Sequence, residues 1–140
     1  MKKIIALVSV LVLCMACVGT AFAAAPLKYQ VRYTIDSGKE GYSPSTIYRK
    51  SSGGYTAEFL LGNFTDADGK VDSPDYVKVH MWNRQLAKQV TSRVSAPVDN
   101  IVSLTYLTKP TSSQTLKPVT YKPDSTYLHK NMIVEASFEP

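Results

Sequence analysis

The sequence predicts an all-β domain, a small antiparallel β-sandwich or barrel-like fold, behind an N-terminal secretory signal peptide. Apolar residues alternate with a period of two through most of the chain, and turn residues recur about every ten positions. No long amphipathic helical pattern interrupts them. The cleanest alternation runs over 76–82, where Val77, Val79 and Met81 face one way and Tyr76, Lys78, His80 and Trp82 the other. That stretch also holds the single tryptophan and one of the two histidines.

The chain starts Met1-Lys2-Lys3, runs apolar from 4 to 18, and reaches Ala21-Phe22-Ala23 before Ala24. A basic start, an apolar core and a small-x-small site form an export signal, predicting a signal peptide at 1–23 and one β-rich domain at 24–140. The apolar core is shorter than the roughly 20 residues needed to span a bilayer, so no stable membrane insertion is expected after cleavage. Both cysteines, Cys14 and Cys17, fall inside the signal. The mature chain is therefore expected to be cysteine-free, with neither disulfides nor thiolate chemistry. Losing Lys2 and Lys3 leaves 14 basic against 11 acidic residues, a mild and dispersed excess. Nucleic-acid binders gather basic charge on one face, so no nucleic-acid partner is expected.

The first strand is predicted over 28–36, with Tyr29, Val31, Tyr33 and Ile35 on one face. Ser37-Gly38-Lys39-Glu40-Gly41 and Ser43-Pro44 then hold a loop. A short polar strand at 45–50, the turn Ser51-Ser52-Gly53-Gly54 and a strand at 55–61 read as a hairpin. The polar stretch 63–74 reads as a loop. Its aspartates do not form a calcium site, because counting from Asp66 the fifth position is Lys70 and the glycine comes at the fourth place instead of the sixth.

After the 76–82 strand, residues 84–94 read as its hairpin partner following a turn near Asn83-Arg84, with a short helix as the alternative. Residues 100–108 carry apolar side chains on both faces, as a buried central strand would. Lys109-Pro110, Lys117-Pro118 and Lys122-Pro123 mark 109–125 as loop or edge, with 116–121 extended. An apolar strand over 127–139 closes the domain, alternating Met132, Val134, Ala136 and Phe138 with Ile133, Glu135 and Ser137.

No sequence motif carries chemistry. There is no Gly-x-Ser-x-Gly elbow. His80 and His129 lack a second histidine at metal-ligand spacing, so no metal site or cofactor is expected. The candidate binding residues are Tyr76, Lys78, His80 and Trp82, which place aromatic rings and a cation along one strand face at about 7 Å steps. The expected function is that of an exported, non-catalytic binding or structural module of the cell envelope or extracellular space, with a glycan or protein partner. The alternative is a small secreted hydrolase using His80, His129, Glu58 or Glu135.

Overall fold

Period-two alternation buries one side of each strand, and a chain made of such strands must close them face to face. The computed structural model describes residues 27–44, 48–49, 54–67, 76–111 and 114–140. These form two antiparallel sheets packed as a sandwich or half-barrel. The expected signal segment and its cysteines lie outside the described residues, as do the 51–53 turn and acidic positions 68–75.

The four-stranded sheet runs in the order β1 (Tyr29–Ile35), β10 (Met132–Glu139), β4 (Thr56–Asp66), β8 (Ile101–Thr105). The second sheet is centred on β5 (Tyr76–Asn83) and β9 (Thr115–Tyr121), which pair with each other. Short strands β2 (Gly41–Tyr42) and β3 (Tyr48–Arg49) flank β9, while β6 (Lys88–Gln89) and β7 (Val94–Pro97) flank β5.

Val77, Val79 and Met81 are fully buried between the sheets, as the alternation predicts. They meet Phe59, Leu61, Phe64, Val134 and Phe138 from the opposite sheet in one continuous core. Each such side chain contributes roughly 1.5–3 kcal/mol through burial. The sheets are also joined by a polar bond, Tyr33 OH to Thr120 Oγ1 at 2.6 Å, with the Tyr33 ring stacked on Tyr42 at 4.6 Å.

Several elements differ from expectation, each for a physical reason. Tyr48 and Arg49, the described part of 45–50, do not pair with 55–61: β3 joins β9 in one sheet, while β4 joins β10 and β8 in the other. Strand β4 continues through Asp66 into the expected loop. Its ladder with β10 is irregular between Glu135 and Ala136, where Gly62 is skipped. That bulge reverses the alternation, so Phe64 follows Leu61 into the core. The 84–94 segment forms a hairpin rather than a helix. Asn83 Oδ1 accepts the Leu86 N–H at 3.0 Å, and Ala87 at φ 47° turns the chain back.

Strand β8 is an edge, not a central strand, leaving Ile101 and Leu107 45% and 68% exposed. The reverse holds for 116–121, which is the central strand β9 despite Pro118. Its outer neighbour is interrupted there, since β2 pairs with Thr120 and Tyr121 and β3 with Thr115 and Leu116. The closing strand starts at Met132, later than expected, because Ser125–Tyr127 forms a 3-10 turn.

Lys122 fastens one end of the sandwich. It is only 5% exposed, and its Nζ donates to the carbonyls of Asp36 at 2.8 Å, Lys130 at 2.7 Å and Leu128 at 3.5 Å. Burial lowers its pKa, while the Asp36 charge opposes that shift. Lys122→Met removes the donor and strands these carbonyls, so a loss of about 3 kcal/mol in urea unfolding is expected. A loss below about 1 kcal/mol would show that the amine does not hold this end.

Candidate functional site

The outward face of the β5–β9 sheet gathers the most unusual side chains of the described residues. On β5 it presents Tyr76, Lys78, His80 and Trp82, as predicted. Register places Tyr121 of β9 opposite Lys78, Val119 opposite His80 and Lys117 opposite Trp82. Gly41 of β2 stands on the far side of Tyr121.

Two features organise this face. The first is a bulge between β6 and β7. Gln89 pairs with Trp82 and Val94 with Val79, so four residues, 90–93, stand opposite two, His80 and Met81. Thr91 anchors the bulge, its buried Oγ1 accepting the Met81 N–H at 2.9 Å. The Val90 N–H donates to the Met81 carbonyl at 3.0 Å. The displaced chain carries Arg93 over the sheet, where its guanidinium carbon lies 3.8 Å from the Tyr121 ring centroid.

The second feature is Gly41. A Cβ added there would lie 2.5 Å from Tyr121 Cε1 and 2.6 Å from its Cδ1. Only the bare glycine lets the ring rest where it does.

His80 lies beneath this arrangement. Its ring is 5.4 Å from Tyr121 and 6.4 Å from Trp82, and the residue is only 1% exposed. Neither ring nitrogen has a hydrogen-bond partner among the described residues. Burial, helped by the charge of Arg93, pushes its pKa down to about 4. His80 is therefore a neutral packing residue at pH 7 and part of the floor under the site.

Beside Tyr121 the face dips into an open depression of about 210 Å³, lined by Glu40, Lys78, Arg93, Tyr121 and Lys122 with the Asp124–Leu128 turn. Of the four residues expected from sequence, Lys78 alone lines it. Trp82 and Tyr76 are half-buried farther along the same face. Sequence reasoning missed Arg93, Tyr121 and Gly41. The period-two pattern of 116–121 carries a signal for Tyr121, whereas Arg93 reaches the site through a bulge that has no local signature.

The groups available for hydrolysis are scattered. His129 is exposed in the turn before β10. Glu58 and Glu135 lie on the outer face of the other sheet, where Glu135 pairs with Arg32 at 3.0 Å. Glu58 stands opposite Glu139, four residues beyond Glu135, which places the two about 13 Å apart along the strand. Among the described residues no group of three His, Cys, Asp or Glu side chains is placed to hold a metal.

The depressed His80 pKa has a signed consequence. Below about pH 6.5 the unfolded chain takes up a proton that folded His80 refuses until about pH 4. Native stability therefore falls as pH drops through that window, by up to about 3 kcal/mol, and this contribution levels off below it. NMR titration of the His80 ring is expected to give a midpoint near 4 in the native protein. Gly41→Ala is expected to displace Tyr121, open His80 to water and raise that midpoint toward 6.5. An unchanged midpoint would show that the Tyr121 ring does not seal His80.

No protein-family model matches the chain, and no curated protein matches it in sequence. Among solved structures, a chain described as the EclA C-terminal domain, a sugar-binding protein, aligns at a TM-score of 0.35 with 16% identity, covering 86% of this chain and 87% of that one. A likeness that low transfers neither a site nor a ligand.

Proposed function

We propose that this protein is an exported, non-catalytic recognition module that binds a saccharide on the outer face of its β5–β9 sheet. The observation that carries this reading is the platform of Tyr121 and Arg93 with Lys78 beside it, bordering an open depression. Sugar rings offer C–H faces that pack on flat groups and hydroxyl edges that bond to charged side chains. The platform supplies both kinds of partner at once.

Size and surroundings favour a saccharide over the other partners. At about 210 Å³ the depression is smaller than the roughly 300–1,000 Å³ pockets that enclose whole ligands or cofactors. It suits one sugar ring of a longer chain. Protein interfaces concentrate apolar residues at their centre. Here the strongly exposed large apolar side chains, Tyr55, Leu86, Ile101 and Leu107, belong to other parts of the surface. The hydrolytic alternative gains no support from this placement, because His80 is sealed and neutral while Glu58 and Glu135 occupy the opposite sheet.

Trp82, the only tryptophan, shares the sheet face with the platform and reports on it. Titration with a panel of mono- and oligosaccharides is expected to shift Trp82 emission saturably for at least one sugar. Tyr121→Ala is expected to weaken that binding about tenfold or more while the far-ultraviolet circular dichroism stays native. If no saccharide perturbs either the emission or the amide spectrum, the proposed function is wrong.

A further inference from the structure

The charges around the depression narrow the ligand class. Arg93 and Lys78 both border it, and neither makes an ion pair among the described residues. The third cation, Lys122, is engaged by backbone carbonyls. Two like charges lining one depression repel each other, and an anion seated between them relieves that repulsion.

Arg93 is also held in place. Its guanidinium carbon lies 3.8 Å from the Tyr121 ring centroid while the residue stays exposed. The planar guanidinium fork matches the two oxygens of a carboxylate, and a contact that already restrains the side chain lowers the ordering cost of binding. Lys78 adds a second positive charge from the strand position directly opposite Tyr121.

The acidic residues of the lining limit how much negative charge fits. Glu40 and Asp124 border the same depression. Their carboxylates repel a phosphate dianion or a densely sulfated chain, and that of Glu40 accepts hydrogen bonds from hydroxyl groups. The lining thus suits a ligand with one negative charge and several hydroxyls.

Building on the saccharide reading above, we infer that the ligand is an acidic sugar, of the uronic or sialic type, whose carboxylate is taken by Arg93 and Lys78 while its hydroxyls face Glu40. The depression accepts one such ring, and the rest of the saccharide extends along the sheet face toward Trp82.

Amide chemical-shift titration of the 15N-labelled protein tests this. The probes are glucuronate, galacturonate and N-acetylneuraminate, their methyl esters, the neutral parents glucose and galactose, and inorganic sulfate. At least one acidic sugar is expected to move the amides of β5, β9 and Arg93, and its methyl ester to bind about tenfold more weakly. Arg93→Gln and Lys78→Gln are each expected to weaken the acidic sugar about tenfold, with dispersed native spectra confirming the fold. Arg93→Lys is expected to recover only part of the loss, because an ammonium keeps the charge and lacks the fork.

Equal binding of ester and acid overturns the acidic class and leaves the saccharide reading standing. Acidic-sugar binding that survives both Arg93→Gln and Lys78→Gln overturns the assignment of the carboxylate to these residues. Sulfate binding as tight as that of the sugars marks an adventitious anion site and overturns the inference. Silence from every sugar, acidic and neutral, overturns both readings together.

Discussion

One buried ammonium group sets the frame at one end of the sandwich. The amine of Lys122 lies among the carbonyls of Asp36, Leu128 and Lys130, which belong to the end of β1, the turn after the 3-10 helix and the approach to β10. The carbonyls flank strands of the four-stranded sheet, whereas Lys122 itself follows β9 of the other, so the contact ties the two sheets together. A charge withdrawn from water is costly, and three oriented carbonyl dipoles replace much of the lost hydration. Neighbouring bonds reinforce the joint: Ser37 N–H to Asn131 Oδ1 at 2.7 Å, and the Gly38 N–H to the Leu128 carbonyl. One lysine thus does for this end of the sandwich what a disulfide does in some small domains.

The depression inherits its rigidity from that joint, since Lys122 and Leu128 form part of its wall. The rest of the site is set by close contact on the sheet face. Gly41 fixes the height of the Tyr121 ring, the bulge brings Arg93 over it, and His80 fills the space beneath. Burial, helped by the neighbouring Arg93 charge, keeps the His80 imidazole neutral.

What could be read from the sequence was whatever depended on local alternation. Val77, Val79 and Met81 fall in the core because period two has only one way to bury them, and Tyr33, Val134 and Phe138 follow the same rule. The rule failed where a strand broke its own period. Gly62 shifts β4 by one residue and hides Phe64 among polar neighbours, and Pro118 makes a central strand look like a loop. Exposure on the outer face was equally hidden. Alternation assigned His80 correctly to that face, but its burial depends on Tyr121, which arrives from β9 some 40 positions later. Lys78 was found because it lies on the strand itself. Arg93 was not, since a bulge delivers it across the sheet from a neighbouring strand.

The bulge has a consequence for how such a protein diversifies. Its anchor, Thr91, is buried and bonded to β5, whereas Ser92 and Arg93 are exposed and make no core contact. The framework and the exposed cation are thus separate parts of one short segment. A codon change at 93 alters the charge on the surface while leaving the Thr91 anchor to β5 in place, and one at 91 does the reverse. Selection can therefore vary the preference of this face quickly over an unchanged scaffold, as loops do on larger folds, using only a kink in an edge strand.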